Sequence, residues 1–135
     1  WSELQLDTVI VNKAEATELT GLRIGSIKRQ LNLWRKALIE RNIRRLVITR
    51  GSKSTLHLET TGPVSETPTQ TVSPIDTVGA GDAFAGCLAA GMARRDSIET
   101  AITRANCAGA LATLKPGAQA AIPNRRQITA HLKGK

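Results

Sequence analysis

The stretch Asp76-Thr77-Val78-Gly79-Ala80-Gly81-Asp82-Ala83-Phe84 concentrates the groups in this sequence best suited to chemistry. Gly-Ala-Gly at the start of a helix lets backbone N–H groups converge on an anion, helped by the helix dipole. A carboxylate just behind such a pocket, Asp82, can take a proton from an attacking hydroxyl. Two acids flanking a glycine-rich turn suit simple phosphate binding poorly, because they repel it. The pair therefore points to proton chemistry or to cation binding. The structural alternative is that Asp82 only caps the helix and the glycines only permit close packing. An isolated Gly-x-Gly would favour that alternative; a string of this length is more specific.

Three other segments carry groups of the same kind. Asn12-Lys13-Ala14-Glu15 sets an amide and a carboxylate three residues apart, on one face if the segment is helical. Taken alone, Glu15 reads as a solvated helix charge. Ile48-Thr49-Arg50-Gly51-Ser52-Lys53 runs from an apolar strand into a turn, and Lys115-Pro116-Gly117-Ala118-Gln119-Ala120-Ala121-Ile122-Pro123 is a loop near the C-terminus.

Together these four segments resemble, in order, the motifs of the ribokinase/PfkB carbohydrate kinases. The nine-residue string is similar to the family signature Asp-Thr-x-Gly-Ala-Gly-Asp-x-Phe. Asn12 to Glu15 resembles its Asn-x-x-Glu motif, and Ala16 to Gly21 continues the likeness. The strand-turn at Ile48–Lys53 resembles the family's nucleotide-binding turn. The Gly-Ala-Gln at Gly117–Gln119 points towards the ribokinase branch. The likeness covers nearly the whole chain.

The resemblance implies an ATP-dependent phosphotransferase acting on the hydroxyl of a sugar such as ribose. Asp82 would be the base, and Gly79, Ala80 and Gly81 the anion hole for the transferring phosphoryl group. Glu15, with Asn12, would organise Mg²⁺ and its waters. Thr49, Gly51 and Ser52 would hold the nucleotide phosphates and ribose, and Asn106 matches a position near the adenine. An ordinary helix polar residue is the equal alternative for Asn106. A monovalent cation such as K⁺ would sit behind the anion hole, on the Asp76 carboxylate and on oxygens at Val78, Ala112, Lys115 and Gly117.

Two departures accompany the likeness. The family's turn often continues Gly-x-x-Gly, whereas Ser54 stands at the last position here; if that place needs φ > 0, serine is strained there. The family's upstream Gly-Gly sugar motif and β lid find no counterpart in these residues. The chain opens on Trp1, and its single methionine is Met92, so the expectation is part of a longer protein. The competing readings are a non-catalytic remnant that holds nucleotide, and a basic nucleic-acid binder. A homodimer of the full-length protein is compatible with the resemblance.

The elements that must position these groups follow from periodicity. Thr8–Val11 reads as a buried strand, Lys13–Thr20 as a short helix stopped by Gly21, and Ile24–Arg41 as one amphipathic helix with its stripe at Ile24, Ile27, Leu31, Trp34 and Leu38. Arg45–Thr49 is the next strand, and Thr55–Leu58 would pair beside it. Residues 59–74 form a loop with one short edge strand. Asp82–Arg94 is a small-residue helix. Asp96 is predicted to cap the next helix, running to about Lys115, with Glu99 completing a capping box; Asn124 caps the last, with Gln127 three residues on. Strands alternating with helices predict an α/β, ribokinase-like fold, a mostly parallel sheet with helices on both faces, present as its C-terminal part. Residues 1–135 read as one domain, the nucleotide-binding and catalytic part.

Composition narrows the function classes. At 135 residues, 41% hydrophobic and 22% charged, the chain is ordinary for a globular protein. Its longest stretch free of charged and strongly polar groups, Ala83–Ala93, is far short of a membrane span, and no secretory pattern opens it, so a cytoplasmic protein without membrane partners is the expectation. Net charge is +8, with ten basic residues and one acid between Arg23 and Lys53. Two Trp, one Phe and no Tyr leave little for base stacking, so nucleic acid is not the expected partner. The positives read instead as a solvated helix face that also favours an anionic nucleotide. Cys87 and Cys107, with no metal-like spacing, read as buried packing residues.

Overall fold

A computed structural model of the chain describes residues 4–134. The chain falls into two compact units, one running to Glu66 and the other starting at Thr67.

The first unit is built on a four-stranded sheet in the order β1 (Leu6–Asn12), β2 (Ile43–Thr49), β3 (Thr55–Glu59), β4 (Ser65–Thr67), the last strand ending across the boundary. β1 and β2 are parallel, with Val9 opposite Leu46 and Asn12 opposite Thr49. Parallel neighbours require a crossover. It is supplied by helix α1 (Lys13–Thr20), a single 3₁₀ turn (Ile24–Ser26) and helix α2 (Leu31–Glu40). β3 then turns back antiparallel to β2, with Leu58 opposite Leu46. Leu46, Val47 and Ile48 are consecutive and fully buried, so β2 is covered on both faces, as a β-branched run without alternation requires. Trp34 and Leu38 of α2 complete this core with Ile24, Ile27, Leu56 and Leu58.

Helix α1 has the ends its sequence predicts. Gly21 takes φ 71° and its N–H bonds the Thr17 carbonyl at 2.7 Å. The single helix predicted over Ile24–Arg41 is instead broken. Gly25 and Ser26 are poor helix formers, Ser26 Oγ donates to the Arg23 carbonyl, and the α-helix proper begins only after Gln30. The apolar stripe survives the break, because Ile24, Ile27, Trp34 and Leu38 are all buried.

The second unit packs helices α3 (Ala80–Ala93), α4 (Ile98–Ala112) and α5 (Arg125–Lys133). α3 and α4 approach so closely that a Cβ built on Gly91 would lie 2.9 Å from Ala101 Cβ. This is what the small-residue face of α3 provides. α5 closes on α4 through Ile128, Cys107 and Ala108. Asn124 caps it in a box with Gln127 as predicted.

Two sequence expectations are corrected here. Asp96 does not cap α4. α3 ends with Arg95 at φ 62°, whose N–H bonds the Met92 carbonyl while the Asp96 N–H bonds that of Gly91, the double closure of a Schellman motif. Asp96 is thereby committed to the end of α3, and its carboxylate holds Arg94 at 2.9 Å. Ser97 caps α4 instead, accepting from the Thr100 N–H. Cys107 is buried as expected, whereas Cys87 is only half-buried, and that burial pushes its thiol pKa up.

Candidate active site

In the first unit, Asn12 and Thr49 stand in register at the carboxyl ends of the two parallel strands. That edge is where open α/β sheets place ligands, because chain reversals leave a crevice there. Here the crevice is a cleft of about 950 Å³, lined by Asn12, Lys13, Thr49, Arg50, Gly51 and Lys53 among others. Three predicted nucleotide-binding residues, Asn12, Thr49 and Gly51, are thus brought together with three cations. Gly51 takes φ 64°, which a non-glycine residue adopts only at a cost. Ser52 is the exposed next residue of the turn.

The Asn-x-x-Glu segment has a local job as well. Asn12 Oδ1 accepts from the N–H groups of Ala14 and Glu15 at 2.9 and 3.0 Å, and Glu15 Oε2 accepts from the Asn12 N–H at 2.7 Å. This reciprocal capping box fixes both side chains, Asn12 on the cleft wall and Glu15 one turn into α1. Its pattern was open to sequence reading and was missed.

In the second unit, Asp76 organises the glycine-rich turn. Its Oδ1 accepts from the Val78 N–H at 2.9 Å and its Oδ2 from the Gly117 N–H at 3.1 Å. These two bonds, Val78 first, hold the Asp76 carboxyl below its ordinary pKa of 3.8. The Ile75 and Asp76 N–H groups both reach the Thr113 carbonyl, next to buried Ala112. Asp76, Val78, Ala112 and Gly117 are therefore drawn into one neighbourhood, and Lys115 lies on the exposed loop between the last two.

Gly79 is required twice over. It takes φ 83°, and a Cβ there would meet Ala118 Cα and Cβ at 3.0 Å. At Gly81 nothing lies within 4 Å of an added Cβ. Gly79 is also the N-cap of α3 and makes no side-chain cap, unlike Asn12, Ser97 and Asn124 on their helices. The Ala80 N–H bonds the Thr77 carbonyl at 3.3 Å, and with no side-chain cap the next N–H groups of the first turn, those of Gly81 and Asp82, suit an outside acceptor. Asp82 sits in that turn, exposed, and lines a separate hollow of about 300 Å³ with Gly86, Cys87, Arg104 and Arg125.

The pattern of the pfkB family carbohydrate kinases matches residues 4–125. The chain belongs to that family. Among curated members it is 32% identical to the ribokinase of Mus musculus over 120 residues, 87% of this chain and 37% of that one. Among solved pfkB structures, a fructokinase of Vibrio cholerae O395 holding fructose, ADP and calcium is 33% identical with a TM-score of 0.77, over 92% of this chain and 40% of that one. The ribokinase of Arabidopsis thaliana complexed with ribose and ATP superposes with a TM-score of 0.85 at 23% identity, over 94% and 41%, and shares the ribokinase-like α/β fold. This chain thus spans about 40% of the length of the relatives it matches.

Two further residues singled out in the sequence are settled by the structure. Asn106 is buried on α4, and its amide donates to the carbonyls of Thr67 and Pro68 at 3.4 and 3.1 Å, so it tethers that segment to the helix. Ser54, in place of the motif glycine, is not strained: among described non-glycine residues only Asn42 and Arg95 take positive φ. Lys13, Arg50 and Lys53 also line the cleft; no role was read for them singly, since a basic residue by itself carries no positional signal.

Proposed function

We propose that these residues supply the nucleotide-binding and catalytic-base part of a kinase that transfers the γ-phosphoryl group of ATP to the hydroxyl of a sugar such as ribose. The observation that carries this reading is the start of α3 without a side-chain cap, with Gly81 exposed and Asp82 in the same turn. Asp82 accepts the proton of the attacking hydroxyl as the hydroxyl oxygen forms its bond to phosphorus and the bond to the β-phosphate oxygen breaks. The amides of the first turn stabilise the negative charge on the transferring group, a role that needs no side chain. Asn12, Thr49, Gly51 and Ser52 bind the nucleotide, and Lys13 and Lys53 add a favourable field for its phosphates. Asn106 acts on the adenine side through its place on α4.

The residues present fit a monovalent cation such as K⁺. The Asp76 oxygens each accept one backbone N–H and keep a further lone pair, and carbonyl-bearing residues Val78, Ala112, Lys115 and Gly117 are close in the fold or in sequence. Held there, such a cation would supply fixed positive charge to the glycine-rich turn. The donor set also suits Mg²⁺, which binds through one or two carboxylates plus substrate phosphates and keeps several waters. Glu15 would hold it through the oxygen that the capping box leaves over, with Asn12 beside it.

The test is ATP- and sugar-dependent turnover of the whole protein with ribose, fructose and deoxyribose, alongside calorimetric titration of Mg-ATP. Sugar-dependent ADP release that vanishes in Asp82→Asn supports the reading. Nucleotide binding without turnover on any sugar would favour a non-catalytic nucleotide-binding protein. A folded sample that binds no nucleotide sinks the assignment of both sites.

A further inference from the structure

The turn from Thr49 to Ser54 is crossed by a backbone bond from the Lys53 N–H to the Arg50 carbonyl at 3.2 Å. Its central residues Gly51, Ser52 and Lys53 are exposed. A turn that is held in its binding conformation beforehand spares the affinity that ordering it on binding would cost. A side-chain structure lies across it. Arg50 Nε donates to the Ser54 carbonyl at 2.7 Å, bridging the two ends of the turn. Arg50 Nη2 donates to Ser54 Oγ and, at 2.6 Å, to Glu66 Oε1, and Ser54 Oγ in turn donates to Glu66. Lys28 Nζ lies 3.5 Å from the other oxygen of Glu66.

We infer that Arg50, Ser54 and Glu66 form a brace that positions the nucleotide turn, so that Arg50 acts on the nucleotide through the geometry of Thr49 and Gly51. The inference rests on the nucleotide reading of this cleft. The Ser54 hydroxyl, which a glycine could not offer, is the middle of the relay, so the departure from the Gly-x-x-Gly pattern has a use. Glu66 stands on β4, a strand paired to β3, and therefore anchors the turn to the sheet. The bonds from Ser54 and then Arg50 hold the Glu66 carboxyl down to about 2, so it stays charged across the working range. Exposed ion pairs singly contribute little. Here the Arg50 side chain is only 19% exposed and is held at three acceptors, so the geometry is defined by more than one pair.

Glu66→Ala separates positioning from simple charge. Removing an acid near a cleft lined by Lys13, Arg50 and Lys53 should tighten an anion if only the field matters. A brace predicts the reverse, because apparent affinity falls with the fraction of turns in the competent conformation. The experiment titrates ADP into the whole protein as wild type, Arg50→Met, Glu66→Ala and the double variant, and measures kcat and nucleotide KM for each. The expected result is about 3- to 10-fold weaker ADP binding in Glu66→Ala, kcat within about 2-fold, and a double variant no weaker than Arg50→Met alone. Unchanged or tighter ADP binding by Glu66→Ala overturns the brace, as does additivity in the double variant. Wild type that binds no ADP overturns the nucleotide reading and the brace together; wild type that binds while Glu66→Ala is unaffected overturns the brace only.

Discussion

Asp76 Oδ2 accepts the N–H of Gly117 at 3.1 Å across 41 residues of sequence, tying the glycine-rich turn to the C-terminal loop. With the Val78 bond on its other oxygen, one carboxylate holds both segments that the proposed cation site needs. Its folded pKa is depressed, so its contribution to stability is present above about pH 3.8, the ordinary value, and is lost as pH falls through the lower folded value. Wild type should therefore lose melting temperature more steeply than Asp76→Asn between pH 5 and the acid limb. In turnover assays, K⁺ should activate more than Na⁺ or Li⁺, and Asp76→Ala should blunt that response. Equal rates in K⁺ and a bulky organic cation at fixed ionic strength would count against the cation site.

Asp82→Asn should lower kcat by about 10²–10⁴-fold, the usual cost of a lost general base, and leave ATP affinity within about 2-fold. Asparagine keeps the shape of the side chain but is a far weaker base. A variant retaining more than about a tenth of wild-type turnover would show that another group takes the proton.

The two glycines of the anion hole should separate cleanly. Gly79→Ala imposes both a disfavoured φ and contact with the Ala118 backbone, and should cost about 2–3 kcal/mol of folding stability. Gly81→Ala meets open space, so melting should change little. Any loss of turnover in Gly81→Ala then reports obstruction of the phosphoryl group and not of the fold. Equal melting losses in both variants would contradict this division.

Arg95 ends α3 in the left-handed conformation that glycine adopts without strain. Arg95→Gly should raise stability by about 0.5–1 kcal/mol, measured by urea unfolding at unchanged m-value. A lower midpoint would mean that the Arg95 side chain contributes more than its backbone costs.

Much of this protein is written in local sequence, because caps, turns and strand runs are settled by groups within a few residues of each other. The Lys13–Thr20 helix needs only Asn12, Glu15 and Gly21, and the last helix only Asn124 and Gln127; both are legible in one dimension. The Asp-Thr-x-Gly-Ala-Gly-Asp-x-Phe string likewise sufficed to suggest the family. Competition between neighbouring elements was less visible. Asp96 and Ser97 are both good caps; Asp96 is held at the end of α3 by its N–H and its carboxylate, and Ser97 caps α4. The break at Gly25–Gln30 was hidden by an apolar stripe that continues through it. What no spacing rule contains are pairings across long loops: Asp76 with Gly117, Gly79 against Ala118, Asn106 with Thr67, and the Arg50–Ser54–Glu66 brace. Sequence selected the chemical groups, since reactivity belongs to residue types. Tertiary structure decided which of them meet, because hydrogen bonds and close contacts act over about 3–4 Å and the chain must fold before distant residues come that near.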